Sequence, residues 1–127
     1  EQAGVAAAAI TFFSSFDRPK RKGQPKQVFI HHVFFWLKNQ SSKEDLNKLL
    51  EGLTQLSAVK TIQRFHIGKP AATKREVIES SYAISWLTEF ANDADQASYQ
   101  DDPIHLKFIR EYSHLWSKVI VYDSVDM

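Results

Sequence analysis

The run VFIHHVFFWLK, residues 28–38, constrains the fold more than any other part of this chain. It is bulky, β-branched and aromatic without a Gly or Pro, which is the composition of one long strand. Side chains alternate along a strand, so Val28, Ile30, His32, Phe34 and Trp36 share one face. Phe29, His31, Val33, Phe35 and Leu37 share the other. Both faces are largely apolar, and each needs a partner that takes it out of water. A single layer of helices covers only one of them.

The segments that follow supply that layer. NQSSKEDLNKLLEGLTQLSAV spaces Ser41 and Glu44 as a capping box and sets Leu46, Leu49, Leu50, Leu53 and Leu56 in one stripe, which predicts an amphipathic helix. KTIQRFHIG predicts a short strand closed by Gly68, and KPAATKREVIES a loop. SYAISWLTEF alternates Tyr82, Ile84, Trp86, Thr88 and Phe90 against Ala83, Ser85, Leu87 and Glu89, again strand periodicity. NDADQASYQ predicts a short helix, a second helix starts at Pro103, and SKVIVYDSV closes the chain as a strand. The order is β-α-β-β-α-β, an α+β, ferredoxin-like arrangement with helices on one face of an antiparallel sheet. The face carrying Ile30, His32, Phe34 and Trp36 is left open, and a second copy related by a two-fold axis covers it most simply, so a homodimer is expected.

At 127 residues the chain suits one domain with a real core, here placed at 28–127, and its net charge of +1 gives no reason to expect nucleic acid as a partner. It contains no cysteine, which excludes disulfides, thiolate catalysis and Cys-based zinc sites. Residues 1–27 read as a separate segment. An Ala-rich apolar run from Ala3 to Phe13, too short to span a bilayer, precedes a basic linker with Pro19, Gly23 and Pro25. This resembles the small-residue part of a bacterial export signal cut off from its charged start, and the expected location is exported, in the periplasm. An ordinary apolar N-terminal helix on a cytoplasmic protein is the alternative.

The stretch YQDDPIHLKFIREYSHLW holds the candidate chemistry. Asp102 is a natural N-cap and Pro103 a natural first helical residue, because proline's missing N–H is unpaired there anyway. Phe108, Ile109, Tyr112, Leu115 and Trp116 recur at helical spacing, and His105 lies at the edge of that stripe in the first turn. There the positive end of the helix dipole disfavours imidazolium and favours a neutral ring that can accept a proton. Against this stands a histidine that is simply satisfied at the core edge, and for Tyr99 an aromatic that only anchors its loop. His31 and His32 point to opposite faces and cannot share one metal ion, and no HExxH or carboxylate-histidine cluster appears, so neither metal nor cofactor is expected. His66 and His114 read as surface residues, and Trp36, Trp86 and Trp116 as core, with Trp116 also able to contact a ligand.

Taken together, HHVFFWLK, FHIGKP, SYAISWLTEF, YQDDPIHLKF and LWSKVIVYD, in this order and at this spacing, resemble the stress-responsive A/B barrel family, the dimeric α+β barrel domain, from about Phe29 to Ser124. The resemblance implies a ferredoxin-like subunit, a dimer whose two sheets form a barrel, and a pocket between each sheet and its helices. In the family's plant polyketide cyclases the working histidine and tyrosine match His105 and Tyr99, the first-strand histidine matches His32, and the tryptophan at the last strand matches Trp116. The chain departs from the cyclases in three places. Their third-strand histidine falls near Ile84, their helix-one tyrosine has no counterpart among Leu49, Leu50, Leu53 and Thr54, and Asp102 replaces the first His of His-Pro-x-His.

Two functions follow as expectations. One is proton transfer or condensation on a carbonyl or polyketide-like ligand, with His105 as base and Tyr99 as hydrogen-bond donor to an oxygen gaining charge. His32, Phe34, Trp36 and Trp116 would then contact the ligand. The other is a non-catalytic dimer that binds a small hydrophobic or aromatic molecule or serves as a stress-associated structural protein.

Overall fold

The computed structural model describes residues 27–127. The expected signal and linker lie outside the described residues, apart from Gln27. The elements are β1 (Phe29–Leu37), α1 (Lys43–Leu56), β2 (Arg64–Gly68), β3 (Ile84–Phe90), α2 (Asp93–Asp101), α3 (Pro103–Tyr112), a short 3-10 turn (Ser113–Leu115) and β4 (Trp116–Val125). The strands form one antiparallel sheet in the order β2-β3-β1-β4, and the helices pack on one side, so the fold is ferredoxin-like. No helix among the described residues is long and apolar enough to cross a membrane.

Register fixes which side chains meet. On the helix side, His31 sits between Thr88 and Asp123, Val33 between Trp86 and Val121, and Phe35 between Ile84 and Val119. Across the open side the same ladders align His66, Leu87, His32 and Tyr122 in one row and Gly68, Ser85, Phe34 and Ile120 in the next. The core therefore forms from alternate residues of β1 and β3 against Leu49, Leu53 and Leu56 of α1 and Phe108 of α3. Each of these large side chains, removed from water, contributes about 1.5–3 kcal/mol.

Three local expectations are corrected. The N-cap of α1 is Ser42, whose hydroxyl accepts from the Asp45 N–H at 3.0 Å, so the cap sits one residue later than the Ser41 and Glu44 box. Ser41 instead donates to Asn39 Oδ1. Leu50, counted in the α1 stripe, is 43% exposed, because α1 buries a face centred on Leu49, Leu53 and Leu56. Tyr82 does not share the face of Ile84. The strand begins only at Ile84, and Tyr82 turns to the open side, edge-on to Phe34 at 5.0 Å between ring centroids.

Pro103 separates α2 from α3. It forces the preceding Asp102 out of helical geometry, to ψ 137°, so Asp102 ends one helix and caps the next. Its Oδ1 accepts from the Ile104 N–H at 2.8 Å. The break leaves Tyr99 in the last turn of α2 and His105 in the first turn of α3, facing the same space.

Candidate functional site

That space is a cavity of about 430 Å³ between the helix side of β1, β3 and β4 and the helices α2 and α3. Its two ends differ in character. The row of His31 and Asp123 lies at one end, with Tyr99 and His105 above it; Phe35, Phe108 and Trp116 pack at the other. The Trp116 ring lies 4.9 Å from Phe35 and 5.6 Å from Phe108, centroid to centroid. Val119 and Val121, 37% and 45% exposed, line the side along the edge strand β4.

The polar end is a chain of neighbours. The His31 ring lies 5.7 Å from Tyr99, and Tyr99 lies 4.8 Å from His105. His105 Nδ1 is 3.0 Å from the Gln100 carbonyl oxygen, which can only accept, so Nδ1 carries the proton and the neutral ring keeps its lone pair on Nε2. Burial pushes the His105 pKa below the ordinary histidine value, and His31 adds to this; the Gln100 contact, Asp102 and Asp101 oppose it. His105 is thus held as a neutral base at neutral pH. His31 Nδ1 donates to Asp123 Oδ1 at 2.6 Å, which likewise leaves Nε2 as the second ring atom able to act. The Thr88 hydroxyl donates to the His31 carbonyl at 3.1 Å and holds that stretch of β1 in place.

Tyr99 is fully buried, and burial pushes its phenol up to about 12. It stays protonated at any physiological pH. Its oxygen accepts from the Trp86 indole N–H at 3.1 Å, and among the described residues no acceptor takes its own proton. A protonated donor and a neutral base thus border one cavity, the pairing that proton abstraction next to a carbonyl requires. Among the described residues no group of three or more His, Asp or Glu side chains is arranged to hold a metal ion.

Of the residues singled out from sequence, Tyr99, His105 and Trp116 line this cavity together. His32, Phe34 and Trp36 do not, and their expected place beside Tyr99 and His105 is corrected. The ladder with β3 and β4 turns them to the open face of the sheet. There Phe34 and Trp36 border a separate hollow of about 270 Å³ with Tyr82, Tyr122 and Lys118, whose Nζ lies 4.5 Å above the Trp36 ring. His31, not His32, is the first-strand histidine of the cavity. Sequence reasoning does not reach His31, Asp123 or Trp86 as site residues. A strand apolar on both faces gives no inside or outside from alternation alone, and the signal that pairs His31 with Asp123 lies in a strand 92 residues away.

Residues 29–126 match the model of the stress responsive A/B barrel domain. No curated protein matches the chain in sequence. Among solved structures, the chain is similar to a Dabb family protein with a ferredoxin-like fold from Mesorhizobium loti, at 25% identity and a TM-score of 0.66, over 80% of this chain and 99% of that one. A hydroxynitrile lyase from Passiflora edulis is 18% identical, with a TM-score of 0.68 over 81% of this chain and 96% of its own. A dimeric ferredoxin-like protein of unknown function from Thermobifida fusca is 12% identical, with a TM-score of 0.63 over 77% and 90%. A family model that spans nearly all of the described residues, on a sheet with this strand order and with helices on one side, places the chain: it belongs to the stress responsive A/B barrel domain family.

Proposed function

We propose that this protein is a homodimeric A/B barrel whose helix-side cavity transfers a proton on a small carbonyl-type ligand. His105 Nε2 takes the proton, Tyr99 donates to the oxygen as it gains charge, and His31, oriented by Asp123, is a second proton-handling group. One observation carries the reading: a buried phenol whose O–H meets no acceptor among the described residues lies ring to ring with a histidine whose tautomer puts the lone pair on Nε2. The aromatic end, with Phe35, Phe108 and Trp116, suits the apolar part of such a ligand. The volume is in the range of pockets for small molecules rather than for a polymer.

The test does not depend on the identity of the natural substrate. A panel of aryl ketones and thioesters is incubated in D2O, and loss of the proton next to the carbonyl is followed by NMR. An aromatic hydroxynitrile belongs in the panel because a protein of this fold is a hydroxynitrile lyase. Catalysed exchange or cleavage is expected, reduced about 10²- to 10⁴-fold in His105→Ala. No turnover above background across the panel, with panel members nevertheless raising the melting temperature, would leave the non-catalytic binding reading in its place. That second reading draws on the absence of a polar residue at Ile84, where the cyclases of this family carry a histidine.

A further inference from the structure

Trp86 projects from β3 toward the helices between Val33 and Ile67, is 1% exposed, and borders the cavity. An indole N–H is a donor only, and a buried one needs an acceptor. Here that acceptor is the hydroxyl oxygen of Tyr99, at 3.1 Å, although the sheet and helix backbones offer many carbonyls.

Two consequences follow for the phenol. An oxygen lone pair that faces Trp86 restricts the torsion of the hydroxyl, so the Tyr99 proton turns away from the indole. Accepting one hydrogen bond also polarises the O–H and makes it a stronger donor for the next. In agreement, the Trp86 contact works against the rise that burial imposes on the Tyr99 phenol.

We infer that Trp86 is a positioning residue, which fixes and strengthens the Tyr99 O–H as donor to the oxygen of a bound ligand as that oxygen gains negative charge. The inference rests on the proposed role of Tyr99 as donor and adds a residue that acts through it. The hydrogen-bond order is Trp86 N–H to Tyr99 oxygen, then Tyr99 O–H to the ligand oxygen. No bond is broken along it.

The probe is 4-nitrophenol, whose phenolate form absorbs in the visible while its phenol form does not, so uptake of the anion is read directly. The wild-type protein is expected to bind the phenolate in preference to the phenol. Trp86→Phe removes one neutral hydrogen bond from the chain and is expected to weaken phenolate binding about three- to tenfold. Tyr99→Phe is expected to weaken it at least as much, and the double variant no further than Tyr99→Phe alone, because Trp86 then has nothing to act through. Wild-type affinity in Trp86→Phe, or losses that multiply in the double variant, overturns the inference while the donor role of Tyr99 stands. A Tyr99→Phe protein that binds the phenolate as the wild type does, or a wild type that takes up no phenolate, overturns both.

A second measurement uses the unaltered protein, should Trp86→Phe fail to fold. The Trp86 indole N–H resonance is expected to move downfield when the phenolate binds, since donation by Tyr99 makes its oxygen a better acceptor. A resonance that stays in place as the probe saturates overturns the inference.

Discussion

Whether a buried aromatic or imidazole is kept for chemistry or for packing is decided by what its removal leaves behind. His105 is half-buried and its one hydrogen bond among the described residues goes to the exposed Gln100 carbonyl, which water can satisfy in its absence. His105→Ala is therefore expected to cost under about 1 kcal/mol in a thermal melt. Tyr99→Phe differs, because it strands the buried Trp86 N–H, and about 1–3 kcal/mol of destabilisation is expected. A stability loss at Tyr99 is thus compatible with its role as donor, whereas a large loss at His105 would argue for a structural histidine. Titration gives the matching signs. The folded Tyr99 phenol is raised from 10.0 to about 12, so its contribution is fully present below pH 10 and is lost as the pH rises through about 12. The amount is about 2–3 kcal/mol. Urea midpoints measured from pH 9 to 12 are expected to fall more steeply for wild type than for Tyr99→Phe. His105 is lowered in the fold, so its effect is opposite: stability is full above the ordinary histidine value of 6.5 and declines as the pH falls toward the lower folded value.

Elements are largely legible in the sequence because periodicity and punctuation are local. The Asp102-Pro103 helix start, the strands at ISWLTEF and WSKVIVYDSV, and the leucines of α1 all follow from residues a few positions apart. The face of β1 is harder to read. HHVFFWL is apolar at both parities, so the expectation that leaves Ile30, His32, Phe34 and Trp36 on the open side conflicts with the one that sets His32 beside Tyr99 and His105, and the ladders to Thr88 and Asp123 decide for the first. The packing of α1 on α3 is equally hidden. Gly52 lies buried in the middle of α1, and a Cβ there would come within 2.8 Å of the Tyr112 ring, so the two helices approach through the missing side chain. Helix propensity alone predicts that Gly52→Ala stabilises by about 1 kcal/mol. The contact reverses this: the ring atoms nearest the added methyl are those closest to the Tyr112 backbone, and overpacking of this kind costs about 1–3 kcal/mol. A lower urea midpoint for Gly52→Ala is the expected result, and a higher one would show that α1 and α3 can part without loss.

At the scale of the whole molecule, one face of the sheet is reached by none of the helices among the described residues. Ile30, His32, Phe34 and Trp36 of β1 lie there beside Ile120 and Tyr122 of β4, with Phe34 edge-on to Tyr122 at 6.0 Å and the His32 ring 4.3 Å from Phe34. A monomer would hold these aromatics in water; a second copy applied by a two-fold axis covers them with the same set and buries both sheets at once. If that is the arrangement, a carboxylate at its centre is buried against its own symmetry mate. Phe34→Asp is then expected to turn a dimer in light scattering into a monomer or aggregate, since an uncompensated buried charge costs about 3–5 kcal/mol. The interface would also respond to acid. His32 is already lowered by burial, by His66 in the same row and by His31, so protonation opposes further burial, and association is expected to weaken as the pH falls below the ordinary histidine value. Arg64 with Glu89, Lys118, Glu79 and Tyr122 share that face and set the charged background around His32. Comparing Phe34→Asp with His32→Gln between pH 5 and 8 separates the two effects: the first is expected to lack the dimer throughout, the second to remain dimeric at acid pH, and a monodisperse wild-type monomer at micromolar concentration would refute the covered face altogether.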